Sequence, residues 1–115
     1  MTVEVFLTTL AQSPESIDFN DTMAVIDTHY VFTPCAFRNG QQQNESGKNS
    51  GSCKLFAFAK LHTLDQQQTL DCFGQYYRND VLSNPEGTDH QNIRNFMVTS
   101  WDGILFDGTP LKPIT

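Results

Sequence analysis

Apolar residues recur every three or four positions along most of this chain, the spacing of one face of an α-helix. Four such stripes predict amphipathic helices: Val3, Phe6, Leu7 and Leu10; Phe19, Met23, Ile26 and Tyr30; Leu70, Phe73, Tyr77 and Val81; and Ile93, Phe96 and Met97. Residues 53–62 are apolar on nearly all sides of a helical projection, which indicates a further helix that is buried. The pattern therefore predicts about five helices.

Capping signals indicate where these helices begin and end. Ser13-Pro14-Glu15 predicts the start of the second helix, because Ser is a favoured N-cap and Pro a favoured first residue. The capping-box patterns Asp65-x-x-Gln68 and Thr88-x-x-Gln91 open the fourth and fifth helices. Asn84-Pro85 ends the fourth helix, since proline has no backbone N–H. Gly74, inside that helix, is expected to allow another element to approach closely.

Short extended segments lie between the helices. Asn39-Gly40 predicts a tight turn that joins strands 35–38 and 41–44 in a hairpin. A strand at 103–106 is expected to pair beside 35–38, and the tail after Gly108, with its two prolines, to lie along the surface. The fold class is therefore α+β, with about five helices packed with a small antiparallel sheet.

Composition supports one folded domain over residues 1–115, because the chain is long enough for a core and holds nine Phe. A net charge of -6 disfavours nucleic acid and anionic membranes as partners. We expect no membrane-spanning segment and no signal peptide, because the first ten residues carry no Lys or Arg. Three widely spaced cysteines indicate reduced thiols in a cytoplasm.

Cys53 is the first candidate for chemistry. It is predicted to lie in the first turn of a helix, where the macrodipole stabilises a thiolate. His90 with Asp89, or else His62, could supply the base of a cysteine-dependent hydrolase. The alternative is a small buried residue in an apolar helix, the commoner role of a free cysteine. We favour the alternative, assign no catalytic residue and expect binding rather than catalysis.

A group of polar side chains stands off the apolar stripes on either side of the turn at 84–88: Tyr76, Arg78, Asp80, His90 and Arg94. Together they could form a groove for a small anionic or peptide ligand. The alternative, which we favour, is an ion-pair network that holds the turn in place. The histidines and cysteines are scattered without the spacing of a metal site, so we expect neither a metal nor a cofactor.

Four blocks of the sequence resemble the HopJ type III effector protein family: FTPCAFRNG (32–40), NSGSCKLFAFA (49–59), FGQYYRNDVL (73–82) and PEGTDHQNIRNFM (85–97). The resemblance implies a protein of the bacterial cytoplasm that a type III secretion system delivers into host cells. It implies no reaction, cofactor or catalytic residue. The expected partner is then a host protein. A small ligand is expected instead if the protein stays resident in the bacterial cytosol.

Overall fold

In the computed structural model, residues 1–114 are described and form five α-helices, one π-helix and five short strands, besides 3₁₀ turns. The helices are α1 (Val3–Gln12), α2 (Phe19–His29), α3 (Ser50–Leu61), α4 (Gln66–Asp71), the π-helix (Tyr76–Val81) and α5 (Gln91–Thr99). The strands are β1 (Tyr30–Phe32), β2 (Phe37–Asn39), β3 (Gln42–Asn44), β4 (Ile104–Phe106) and β5 (Leu111–Pro113). The predicted α+β class is confirmed.

The larger sheet has three antiparallel strands in the order β3-β2-β4. Phe37 in β2 lies opposite Asn44 on one side and Phe106 on the other, so the predicted pairing of 103–106 beside 35–38 is confirmed. The hairpin turn comes one residue later than predicted, because Asn39 is still paired in β2. Gly40 then takes the positive φ of 63° that the turn requires.

A second sheet, which the sequence pattern does not predict, pairs β1 with β5. Tyr30 lies opposite Pro113 and Phe32 opposite Leu111 in an antiparallel register. Leu111 is buried. The prediction that the tail lies along the surface is therefore wrong for Pro110 and Leu111, which are buried, whereas Lys112 and Pro113 are exposed. The two prolines of the tail argue against a strand, yet proline is compatible with a strand whose outer edge needs no N–H.

Helix α3 runs through the centre of the molecule. The side chains of Leu55, Phe56 and Phe58 have no solvent-exposed surface. The Phe56 ring lies within about 6.5 Å, centroid to centroid, of several other rings, those of Phe37, Phe73, Phe96 and Trp101. The prediction that this helix is buried is confirmed, and its buried residues are the apolar ones on which the prediction was based.

Three helices begin at residues other than those predicted. Pro14–Ser16 forms only a 3₁₀ turn, and α2 begins at Phe19, where Asp21 accepts a hydrogen bond of 3.0 Å from the Asp18 backbone N–H. Helix α3 begins at Ser50, before the predicted start at Ser52 or Cys53. The Thr88 capping box does not form, because the N-cap of α5 is His90, and Gln91 donates to the Thr88 carbonyl instead.

The predicted fourth helix is interrupted at Gly74. Helix α4 ends at Asp71, Gly74 has a φ of 61°, and the π-helix follows at Tyr76. The predicted stripe is nevertheless buried over its full length, from Leu70 to Val81. Gly74 lies against the start of α2, where an added Cβ would come within 2.5 Å of the Phe19 backbone nitrogen. The expected close approach is confirmed, and it causes the interruption.

Gly74→Ala should therefore lower the free energy of unfolding by about 3 kcal/mol, because both the left-handed backbone and the contact with α2 oppose a Cβ. Gly47→Ala is the matched control, since Gly47 has a φ of 84° but open space around it. It should cost only about 1 kcal/mol. Urea unfolding of both variants measures the difference, and equal losses would contradict the role assigned to the α2 contact.

Candidate ligand-binding cleft

A cleft of about 440 Å³ opens where α3 and α5 begin. Residues from separate elements form its walls: Phe19 of α2, Gln42 of β3, Asn49 and Ser52 at the start of α3, Tyr76 of the π-helix, and His90 and Asn92 at the start of α5. Phe73 and Ile93 contribute apolar surface. The cleft thus combines aromatic rings, amides and a hydroxyl with one titratable imidazole.

Each of these two helices begins at an N-cap residue that lines the cleft and has a left-handed backbone. Asn49, the N-cap of α3, has φ 53° and ψ 45°, and His90, the N-cap of α5, has φ 50° and ψ 50°. Such angles are uncommon outside glycine and cluster at functional sites. The first N–H groups of each helix lack an acceptor within the helix, and the two macrodipoles favour negative charge at this end.

Tyr76 and His90 form one wall of the cleft, and Asp80, which does not line it, contacts His90. The imidazole of His90 stacks on the Tyr76 ring with centroids 5.2 Å apart and an interplanar angle of 25°. His90 Nε2 lies 3.0 Å from Asp80 Oδ2. The Tyr76 ring also lies near the Phe19 ring, with 5.1 Å between the two ring centroids. The structure therefore brings together three of the residues that the sequence indicated for a groove.

Arg78 lies outside this group. Its Nη1 donates to the carbonyl oxygens of Ile17 at 2.8 Å and of Pro14 at 3.3 Å, and its Nη2 is 3.4 Å from Asp18 Oδ1. These bonds join the π-helix to the turn that precedes α2. Arg78 is thus a structural contact and does not line the cleft.

Arg94 holds the loop that precedes α5. Its guanidinium donates to the Asp89 carbonyl and to Asp89 Oδ1, both at 2.6 Å, and to the Asn84 carbonyl at 2.9 Å. The hydrogen bond from Arg94 lowers the pKa of the Asp89 carboxyl. For Arg94 the structure therefore shows the alternative that the sequence favoured, an ion pair and hydrogen bonds that hold the turn at 84–88.

The environment of Cys53 opposes the role of a nucleophile. Its thiol is buried, and this burial raises the pKa of Cys53 to about 12, with a smaller contribution from the neighbouring Cys35. The expectation that the helix start stabilises a thiolate is wrong here, because desolvation outweighs the macrodipole. Residues 1–114 show no hydrogen bond between a cysteine thiol and a histidine ring. His90 contacts Asp80, and His62 Nε2 lies 2.7 Å from the Tyr30 hydroxyl.

A buried cluster of three asparagines supports the cleft and was missed at the level of sequence. Asn92 Nδ2 donates to Asn44 Oδ1 at 3.0 Å, and Asn39 Nδ2 donates to Asn92 Oδ1 at 2.9 Å. Asn49 Nδ2 also donates to Asn44 Oδ1, at 2.7 Å. The cluster connects the β2-β3 hairpin to the first residues of α3 and α5. Periodicity treats asparagine as a polar surface residue, so it gives no signal for such a network.

Asn92→Ala should destabilise the fold by about 2 kcal/mol, because it removes the buried hydrogen bonds that the Asn92 side chain makes with Asn39 and Asn44. Gln91→Ala is the matched control, since its exposed side chain only bonds the nearby Thr88 carbonyl. We expect the control to stay within about 0.5 kcal/mol of the parent chain in urea unfolding. A small loss for Asn92→Ala would mean that the cluster does not support the cleft.

Metal sites and membrane-spanning helices are both absent from the described part of the chain. In residues 1–114, no group of three or more His, Cys, Asp and Glu side chains could hold a metal ion. Over the same residues, no helix has the length and apolar character needed to cross a bilayer.

Comparisons with known proteins cover the entire cleft. The sequence profile of the family described as HopJ type III effector protein matches residues 3–111. A solved structure, described as the crystal structure of the unknown function protein VPA0580, is 57% identical and superimposes with a TM-score of 0.97. That match covers 98% of this chain and 94% of the other. No curated protein matches the chain. Every residue that lines the cleft lies within the matched segment.

Proposed function

The chain belongs to the HopJ type III effector protein family. We propose that it acts by binding a small anionic ligand in the cleft where α3 and α5 begin. The observation that carries the proposal is the cleft itself, whose volume of about 440 Å³ lies in the range of small-molecule sites. Its walls come from five separate elements, as is usual where a fold positions a ligand between them.

The chemistry of the walls supports an anion with an apolar or planar part. The residues that line the cleft include no carboxylate, while two helices direct the positive ends of their macrodipoles into it. Ser52 contributes a hydroxyl, and His90 contributes an imidazole that can carry a positive charge. The rings of Phe19 and Phe73 offer a surface for the remainder of the ligand.

The state of the cysteines supports binding rather than catalysis. Burial raises the pKa of both Cys53 and Cys72, so neither thiol is poised as a thiolate near neutral pH. Asp89 is engaged by Arg94 and does not orient an imidazole toward a thiol. A cysteine-dependent hydrolase centred on Cys53 therefore has no support from the geometry, whereas a binding protein needs none of these groups.

His90→Asn provides the test of the cleft, because asparagine tolerates the left-handed backbone at residue 90 but cannot carry a charge. Thermal-shift assays against small carboxylates, phosphate esters and sulfate should identify a ligand that stabilises the parent chain. Calorimetry should then show affinity about 10–100-fold weaker in His90→Asn, the loss of one hydrogen bond to a charged group.

His29→Asn is the control for that experiment, since His29 lies outside the cleft and its ring is 3.3 Å from the Met1 carbonyl oxygen. Its affinity should equal that of the parent chain. A panel that stabilises nothing, or equal weakening in both histidine variants, would contradict a ligand site at the cleft.

A second proposal concerns location and partner, and the family description favours it. The protein would leave the bacterial cytoplasm through a type III secretion system and bind a host protein. Export of this kind requires an unfolded N-terminal segment, yet Phe6 and Leu10 of α1 are buried in the core. Each buried side chain stabilises α1 by roughly 1.5–3 kcal/mol, so the secretion apparatus or a chaperone would have to unfold it.

A reporter fused to residues 1–30 should be exported from bacteria with an active type III system and retained in a strain without the secretion ATPase. The fragment keeps α2 but lacks α3 and the rest of the core, so α1 loses contacts such as that of Phe6 with Phe58, and the fragment should be unfolded. Reporter activity in the medium or in host cells measures export. Retention in both strains would remove the effector role and leave a resident cytosolic binding protein.

A further inference from the structure

Two of the three cysteines lie against each other. The Cys53 Sγ is 3.9 Å from the carbonyl oxygen of Cys35, within the range of a weak S–H hydrogen bond. Cys35 also contributes to the raised pKa of Cys53, after the larger effect of burial. All three cysteines are reduced in this structure. The pair connects the segment between β1 and β2 to the first turn of α3.

The two thiols differ in their access to solvent. Cys35 is half-buried, whereas Cys53 is buried in α3. Gly108 lies beside Cys35, because a Cβ added at Gly108 would come within 3.5 Å of the Cys35 Cβ. The Cys35 side chain nevertheless stays partly exposed. A reagent in solution therefore reaches Cys35 before it reaches the buried Cys53. Cys72 is fully buried, and the Thr22 hydroxyl donates to its carbonyl at 2.8 Å.

We propose that Cys35 and Cys53 are a redox-responsive pair that closes to a disulfide when the protein meets a low-molecular-weight disulfide. The Cys35 thiolate attacks one sulfur of the reagent, so that a mixed disulfide forms and one reagent thiol leaves. The Cys53 sulfur then attacks the Cys35 sulfur and displaces the second reagent thiol. The protein loses two protons and two electrons, and the reagent gains both as two thiols.

The high pKa of Cys53 sets the order of these two steps. Because burial keeps Cys53 protonated near neutral pH, it does not start the exchange. Once Cys35 carries the mixed disulfide, the Cys53 Sγ already lies beside that residue, 3.9 Å from its carbonyl oxygen, and the second step is intramolecular. The closed disulfide would join residues 18 apart in sequence and fix the segment before β2 to the start of α3. This inference stands whether or not the cleft binds a ligand.

Oxidised glutathione is the probe that tests the pair in the full chain. After incubation at pH 8, thiols counted in denaturant should fall from three to one, and the mass should fall by two hydrogen atoms. Trypsin separates the cysteines, because peptides 1–38, 49–54 and 61–78 each hold one of them. The map should show 1–38 linked to 49–54. The melting temperature should rise by about 10 °C, as expected for a loop of this length.

Single variants decide between pairing and adventitious oxidation. Cys72→Ala should still form the link, while Cys35→Ser should leave both remaining thiols free. Cys53→Ala should stop at a stable glutathione adduct on Cys35, because no second sulfur is present to displace the reagent. Circular dichroism confirms that each variant folds. Three free thiols in the parent chain, a persistent adduct on Cys35, or a link to Cys72 would each overturn the proposal.

Discussion

Aromatic packing around α3 is the interaction on which the rest of the structure depends. Phe56 contacts rings from β2, from the residues after α4, from α5 and from the turn before β4, so one side chain joins elements distant in sequence. Phe58 does the same for α1 and β1 through Phe6 and Tyr30. Large rings bury much area and prefer edge-to-face or offset geometry, and this geometry fixes both the position and the rotation of α3.

The cleft follows from that arrangement through a second, polar layer. With α3 fixed, its first residues lie beside the β2-β3 hairpin, and the asparagine cluster joins both to the start of α5. Buried amides are costly unless they are bonded, so these hydrogen bonds favour the observed placement of the hairpin and the two helices, although the buried Asn39 Oδ1 has no partner. Asn49 and His90, the N-caps with a left-handed backbone, lie at the starts of these two helices. The aromatic core provides stability, and the amides provide the shape of the cleft.

Much of this fold could be predicted from apolar spacing, and the failures have physical reasons. The stripe from Leu70 to Val81 identified buried residues correctly, yet the predicted single helix is interrupted at Gly74, which has a left-handed backbone and lies against the backbone of α2. Strand β5 was missed because its pairing depends on a partner distant in sequence, which local preference cannot indicate.

At the candidate site, Tyr76, Asp80 and His90 were indicated by being polar beside apolar stripes. Their separation from Arg78 and Arg94 depended on backbone carbonyls, which no side-chain pattern records.

The contacts of Arg94 have a consequence for the thermodynamics of recognition. The loop from Asn84 to Asp89 is already tied to the helix that follows it, through carbonyl and carboxylate bonds to a single guanidinium. A segment that is ordered before association loses little conformational entropy when a ligand arrives. Binding of the proposed ligand beside His90 would then be a lock-and-key event, without an ordering transition. Its enthalpy and rate should report the chemistry of the contact itself.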